Sequence, residues 1–408
     1  MVLVIGAGLA GSLASLALRE RGLPVSLLSE SQAAPPATPS ATASATPSAT
    51  ALSYGGVPWW AAPAMARAPE LWQALERRHG SLGWQSCRLT LHAGLASPPG
   101  ALGFPGPEQG LSGATDSAWS LAGPGAPGAA ELSPNPQALA AARTGLKALL
   151  AASGLDAWER QDAAAPDLGL ELPYGRVDGR VLAAVLPAAL DRAGVQFLPG
   201  RALALECPPG SPWQVRLASG AGLEAETVLL AAGAGSARLW PPLAAELATS
   251  WAGVLALGGD AIAAADFPPG ASAGIVMPLL GQRQALEQQT PTRGESRAVV
   301  DAGLAPWGSG WLLGQISLIN PRGQCDPEPD PAWMEARLRS GLARVWPQLA
   351  YLPARYHQMP VSFTASGAPM VGPVAAAPGL WICAGVGAPF AALPPLVETL
   401  AEQLAAPA

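Results

Sequence analysis

The chain has 408 residues, of which 50% are hydrophobic and 13% charged, with a formal net charge of -6 and a pI near 5.2. That composition excludes a disordered chain. An acidic balance with no Lys/Arg run also excludes nucleic acid as a partner, because a phosphate backbone calls for a clustered basic surface. A single core stops growing at roughly 250 to 300 residues, so the length predicts two lobes.

Val2 to Ile5 is a short apolar run that stops at Gly6-Ala7-Gly8-Leu9-Ala10-Gly11, after which Leu9, Leu13, Leu16 and Ala17 recur at helical spacing. Gly22 and Pro24 break that helix, and Val25 to Leu28 forms a second strand ending at Glu30. The order is strand, helix, strand. No basic residue precedes the apolar start and glycines interrupt it, so it does not read as a secretory signal. No apolar run approaches the roughly 20 residues that cross a bilayer, and a soluble cytoplasmic protein without a transmembrane segment is the expectation.

Residues 33–50 contain only Ala, Pro, Ser and Thr and read as a flexible insertion. The stretch 94–136, rich in Gly, Pro and Ser, predicts long loops. A helical pattern covers 180–192, Val195 to Leu198 is strand-like, and Leu223 to Ala232 reads as one strand running into Gly233. The last strand, Leu380 to Ala384, ends at Gly385-Val386-Gly387 and precedes a helix from about Leu393 to Leu404. Three strand-to-glycine turns are what a parallel sheet needs when it returns to one nucleotide from distant segments.

The first of these turns carries the strongest chemistry. The first glycine permits a tight turn, the second lets the backbone approach a pyrophosphate, and the third allows the helix to pack closely on the strand. A helix N-terminus adds free N–H groups and a positive dipole end. Glu30 can accept hydrogen bonds from ribose hydroxyls. Glycines in a plain tight turn would share the pattern, but the strand, helix, second strand and terminal acid all fall where dinucleotide binding requires them. The motif leaves FAD and a nicotinamide cofactor both open.

Other candidate groups read as structural. Cys87, Cys207, Cys325 and Cys383 form no C-x-x-C pair and are expected to be reduced and buried. His79, His92 and His357 lack metal-pair spacing, so no metal is expected. Trp59 and Trp60 fit core packing better than a substrate wall. No G-x-S-x-G elbow is present, which removes the commonest hydrolase alternative.

Four segments together resemble the D-amino-acid oxidase and glycine oxidase family. Thr227-Val-Leu-Leu-Ala-Ala-Gly-Ala-Gly-Ser236 is similar to its second flavin-contact strand, and Gly379-Leu-Trp-Ile-Cys-Ala-Gly-Val-Gly387 to its C-terminal flavin segment. Tyr174-Gly-Arg-Val-Asp-Gly-Arg-Val-Leu182 and Ser362-Phe-Thr-Ala-Ser-Gly-Ala-Pro-Met-Val-Gly-Pro373 match family stretches in the same order along the chain. The resemblance implies FAD, with Gly6, Ala7, Gly8, Leu9, Ala10, Gly11 and Glu30 on its ADP half and Leu203 near the adenine. It places Ala232 and Gly233 along the ribityl and pyrophosphate region, and Gly385, Val386 and Gly387 at the flavin ring. No cysteine lies between Arg355 and Gly372, so the flavin is expected to be non-covalent. Oxygen as electron acceptor is a further implication of the family.

The sequence departs from the family where substrate is chosen. The resemblance implies a carboxylate-binding arginine at the position of Val361, which cannot form that ion pair; Arg355, or an arginine from the other lobe, is a candidate substitute. Catalytic candidates are Tyr54, followed by Gly55-Gly56 where relatives place residues beneath the flavin, together with Arg355 and His357.

The expected fold is therefore α/β: an FAD-binding Rossmann-like domain with a second, mixed α+β substrate domain. The first is drawn from 1–85, 175–235 and 355–408, the second from 86–174 and 236–354. The expected function is FAD-dependent oxidation of a small amine or amino acid by hydride transfer to flavin N5. Two alternatives stand beside it: a nicotinamide-dependent dehydrogenase, and a non-catalytic nucleotide-binding or interaction protein derived from the same fold.

Overall fold

The computed structural model describes residues 1–30, 48–92, 136–155, 158–162, 165–208, 210–258, 274–279, 283–289, 296–321 and 328–406. The expected insertion at 33–50, apart from 48–50, and the expected loops at 94–135 lie outside them, as does Cys325.

Val2–Ile5 is buried at every position, as are all five residues of Val25–Ser29. Strands covered on both faces read as continuous apolar runs, which is the condition for a parallel sheet. These two pair in parallel and anchor a six-stranded sheet whose spatial order is Met370–Pro373, Leu380–Ala384, Thr227–Leu230, Val2–Ile5, Val25–Ser29, Gln196–Pro199. One face is covered by the helices Leu9–Glu20, Gly179–Arg192 and Pro389–Ala405, through Leu13, Leu16, Leu186, Val397 and Leu400. Against the other face lies a three-stranded antiparallel sheet of Ala202–Glu206, Trp213–Leu217 and Gly222–Ala225, packing Leu205, Val215 and Leu217 on Leu3, Val228 and Leu230.

A nine-stranded sheet forms the second layer system, in the order Arg355–Thr364, Leu247–Leu257, Gly310–Ile319, Arg297–Trp307, Gly274–Pro278, Trp84–His92, Ala165–Val177, Gly56–Val57, with Trp158–Asp162 paired to Ala165–Val177. All its pairings are antiparallel except Trp84–His92 with Gly274–Pro278. The helix Pro331–Ala343 covers one face, setting Met334, Leu338 and Leu342 on Leu255, Leu304 and Leu313. The architecture is α/β with a second mixed sheet. The strand Arg355–Thr364 pairs with Leu247–Leu257 in this larger sheet, so the expected boundary at 355 falls at its first residue.

Three local expectations need correction. The run expected as one strand from Leu223 to Ala232 is two: Gly222–Ala225 pairs antiparallel with Trp213–Leu217, and Thr227–Leu230 pairs in parallel with Val2–Ile5. Burial records the switch, alternating in the first piece and near-continuous in the second. The last helix begins at Pro389 rather than near Leu393, with Pro389 in its first turn, where a missing N–H costs nothing. Cys207 is exposed rather than buried, because it follows the end of Ala202–Glu206; Cys383 is buried and Cys87 half-buried, and none of the three is in a disulfide.

Among the described residues no helix is long and apolar enough to cross a membrane. The described tryptophans serve partly as staples. The indole N–H groups of Trp60, Trp72, Trp213 and Trp307 donate to the carbonyls of Pro173, Phe390, Pro378 and Ala51 at 2.6 to 2.9 Å, each across more than a hundred residues of chain. Trp60 packs in the cluster around Leu172 and Tyr174, while Trp59 is half-buried.

Candidate active site

The chain leaves Val2–Ile5 for a neighbour on one side, Val25–Ser29, and later returns on the other side as Thr227–Leu230. Such a reversal opens a crevice at the carboxyl ends of the strands. Four of the glycine and acid signals meet there. Gly6 has φ 107 and donates to the Leu28 carbonyl at 3.0 Å, while Ala231 donates to the Ile5 carbonyl at 2.9 Å. A β-carbon at Gly6 would lie 2.9 Å from the Ala232 α-carbon, so glycine is what allows the two strand ends to converge. At Gly11 a β-carbon would collide with the Gly6 carbonyl oxygen, which fixes the helix close to the strand.

Gly8 faces open space, with nothing within 4 Å of a β-carbon placed there. It is the N-cap of Leu9–Glu20, a helix with no side-chain cap and no acid in its first turn. The N–H groups of Leu9, Ala10 and Gly11 are therefore left for a ligand. Ala7, Leu9 and Ala10 are half-buried around the same opening.

Glu30 follows the second strand and is exposed, its carboxylate 3.7 Å from Arg201. Leu203, 38% exposed, sits at the bulge between Ala202 and Ala204. Gly200 donates to the Ser29 carbonyl at 2.8 Å, which keeps this corner beside Glu30.

Ala232 and Gly233 follow Thr227–Leu230, and Gly233, at φ 55, also faces open space. Ser236, just beyond, is fully buried, its hydroxyl unpartnered among the described residues. On the neighbouring strand Gly385 has φ 65 and lies against Thr364 and Leu247, which is where the larger sheet meets this edge. Val386 is half-buried and Gly387 opens to space. Ala388, at φ 44 and ψ 56, is the only non-glycine residue in left-handed backbone among the described residues, and it caps Pro389–Ala405 without a side-chain hydrogen bond. Strain of that kind collects at ligand sites. Backbone amides around open space, two bare helix N-termini and an orphaned hydroxyl fit a dinucleotide.

The other candidates lie on the larger sheet. The segment 51–57 bridges both layers: Val57 packs in the core under the parallel sheet, and Leu52 and Tyr54 pack on Val254, Ala256 and Leu312. The Tyr54 hydroxyl is buried without a partner among the described residues, and burial, then the charge of Asp301, hold it well above the tyrosine range. Gly55 has φ 68, and a β-carbon there would collide with the Val177 carbonyl. Residues alternate faces along a strand, so Arg355, His357, Met359, Val361 and Phe363 share one face of Arg355–Thr364. Met359 packs on the same buried cluster of Leu52, Val254, Ala256 and Leu312 as Tyr54, which puts that face toward the bridge. Arg355 is exposed at the first residue, about 20 Å along the strand from Val361 at the usual rise, and does not reach the Val361 position. His357 is buried, and burial, then the Arg355 charge, keep it below the usual histidine range. His79 faces Glu20 at 3.2 Å, and His92 contacts the Ala302 carbonyl at 2.8 Å. Among the described residues no three His, Cys, Asp or Glu side chains are grouped to hold a metal.

Sequence reasoning missed Asp301, Glu287 and Arg283. Asp301 pairs with Gln315 across the sheet, and Gln315 donates to Ser317 at 3.1 Å on the same face. A β-carbon at Gly303, in the adjacent bulge, would lie 2.7 Å from the Tyr54 ring. Burial raises the Asp301 carboxyl above its ordinary range against the opposing charge of Arg283. The helix Arg283–Gln289 lies across this face, its Leu286 packing on Val299 and Phe363. The one available signal was an acid inside an apolar strand, Ala298-Val-Val-Asp-Ala302.

Fold and crevice together define a dinucleotide-binding protein whose parallel sheet is joined to a large mixed sheet. A family profile described as FAD dependent oxidoreductase matches residues 1–403, and the chain belongs to that family. It is an FAD-dependent oxidoreductase, and its cofactor is FAD. No curated protein matches the chain. Among solved structures it resembles iminodiacetate oxidase from Chelativorans sp. BNC1, at TM-score 0.64 and 16% identity over 99% of this chain and 95% of that one. Glycine oxidase from Geobacillus kaustophilus gives TM-score 0.63 and 16% identity over 99% and 94%. L-proline dehydrogenase from P. horikoshii gives 0.61 and 13% over 99% and 92%. At these identities the likeness is one of fold.

Proposed function

We propose that this flavoenzyme oxidises a small amine or amino acid, holding FAD without a covalent bond and passing its electrons to oxygen. The reading rests on the meeting of three glycine turns at one sheet edge, joined to a larger sheet in which the Tyr54 and Ser250 hydroxyls are buried and, among the described residues, unpartnered. The names of the similar structures support it, since each names an amino acid or a small amine as what that protein acts on.

In this reading the amides of Gly6 to Gly11 hold the diphosphate, Glu30 takes the ribose hydroxyls and Leu203 borders the adenine. Ala232 and Gly233 lie along the ribityl chain, and Gly385, Val386 and Gly387 border the ring. FAD, when bound, accepts at N5 the hydride leaving the carbon that bears nitrogen. The protein's contribution is alignment, dryness and charge. The bare N-terminus of Pro389–Ala405 favours negative charge developing nearby. The product imine is released to hydrolyse in water. Absence of a cysteine from Arg355 to Gly372 supports the non-covalent attachment.

The test is the visible spectrum of purified protein, followed by anaerobic titration with amines and amino acids and then admission of oxygen. Bleaching of a yellow protein without added nicotinamide, reversed by oxygen, is expected; a protein that takes up FAD but is bleached by none of them overturns the proposal.

A further inference from the structure

We propose that the substrate is a cationic amine lacking a carboxylate, its nitrogen held by Asp301 with the Tyr54 hydroxyl beside it. This deepens the reading above and rests on it.

The charges on the sheet face decide the sign. Asp301 makes no hydrogen bond or ion pair among the described residues and is half-buried. The neighbouring carboxylate, Glu287, has Arg283 one helical turn away at 3.9 Å. Asp301 also acts on Glu287, so among the described residues two carboxylates and one guanidinium leave the cluster one negative charge in excess when all are ionised.

A further observation points to a missing ligand. The Tyr54 hydroxyl is buried and bonded to nothing among the described residues, and its ring lies against Gly303, two residues from Asp301. A buried polar group without a partner is costly, and a bound ammonium supplies N–H donors where this oxygen and the carboxylate lack them. Among the described residues a carboxylate finds no such match. Val361 offers it no charge, Arg355 lies about 20 Å along the strand, and Arg283 already acts on both Glu287 and Asp301.

The probes are a pair that share one tert-butyl group and differ in the sign of the charge it carries, tert-butylammonium and pivalate. The carbon bearing nitrogen in the first has no hydrogen to lose, so it binds without being oxidised. Calorimetric titration of the FAD-loaded protein is expected to give the cation an affinity at least about tenfold above that of pivalate. Asp301→Asn is expected to weaken the cation by about tenfold or more and leave pivalate unweakened, with Asp301→Glu recovering part of the loss. Tyr54→Phe gives a smaller loss in the same direction. Val361→Arg is expected to raise the affinity for pivalate alone.

Tighter binding of pivalate, binding of neither probe, or an Asp301→Asn protein that retains FAD and binds the cation unchanged overturns the inference. The wild-type comparison decides even if Asp301→Asn fails to fold. A wild-type protein bleached by amines or amino acids that nevertheless prefers pivalate overturns this inference alone. One that takes up FAD but is bleached by no amine or amino acid overturns the wider reading as well.

Discussion

Gly8 and Gly11 belong to one motif but answer to different constraints. A β-carbon at Gly11 meets the Gly6 carbonyl oxygen, whereas one at Gly8 meets nothing within 4 Å. Gly11→Ala is therefore expected to destabilise the FAD-free protein by about 1 to 3 kcal/mol, through overpacking of helix on strand. Gly8→Ala is expected to leave that stability nearly unchanged and to weaken FAD binding by about tenfold or more, by standing where the diphosphate approaches. Urea denaturation of the FAD-free proteins and flavin fluorescence titration separate the two, and equal losses of stability would contradict the packing described. Asp301 gives a second contrast. Its folded-state carboxyl is raised by burial, against Arg283, so its stabilising contribution is complete below the unfolded carboxylate range and is lost as pH rises through the raised value. Cation affinity runs the other way over that window, because it needs the ionised form. Stability relative to Asp301→Asn, followed against pH, is expected to fall as cation binding rises; parallel trends would argue against it. Gly11 was legible because its constraint, the Gly6 carbonyl, lies within six residues, and Tyr54 because Gly55-Gly56 follow it. Asp301 was not, because only strand pairing and the close packing at Gly303 bring it near Tyr54.

The helix Pro389–Ala405 shows the same limit in an element. Pro394 has no N–H to give the Phe390 carbonyl four residues earlier, and in isolation that carbonyl would go unsatisfied. The Trp72 indole donates to it at 2.6 Å from 318 residues away, and the Trp72 and Phe390 rings stack at 6.3 Å. Pro394 and Pro395 are local stop signals whose remedy is distant, so the extension of the helix back to Pro389 is not written in its own segment. Trp72→Phe keeps most of the ring but removes the donor, and is expected to cost about 1 to 3 kcal/mol. A lower urea midpoint at unchanged slope is the measurement, and an unchanged midpoint would show that the prolines need no such partner. The split of Leu223 to Ala232 is a companion case. Both pieces have strand character, and only the identity of their partners, Trp213–Leu217 and Val2–Ile5, reveals that they serve different sheets.

At the scale of the molecule the parallel sheet was legible and the nine-stranded sheet was not. Parallel strands buried on both faces announce themselves as apolar runs ending at glycine. Leu247–Leu257, Arg297–Trp307 and Gly310–Ile319 alternate imperfectly, with register shifts after Gly253 and Asp301, and their order follows from pairing rather than pattern. The proposed cofactor contacts draw on four regions, Gly6 to Glu30, Leu203, Ala232 to Gly233 and Gly385 to Gly387, so bound FAD ties together parts of the chain that folding must bring from far apart. A ligand that binds only the folded state adds RT ln(1 + [L]/Kd), about 2.7 kcal/mol at a hundredfold excess over Kd. The melting temperature is therefore expected to rise continuously with added FAD, and Gly8→Ala to shift that dependence to higher FAD concentration while leaving the FAD-free melting temperature in place. Thermal melts across an FAD series measure both. A melting temperature indifferent to FAD in the wild-type protein would mean that these four regions do not converge on the cofactor, whatever their positions along the sheet edge.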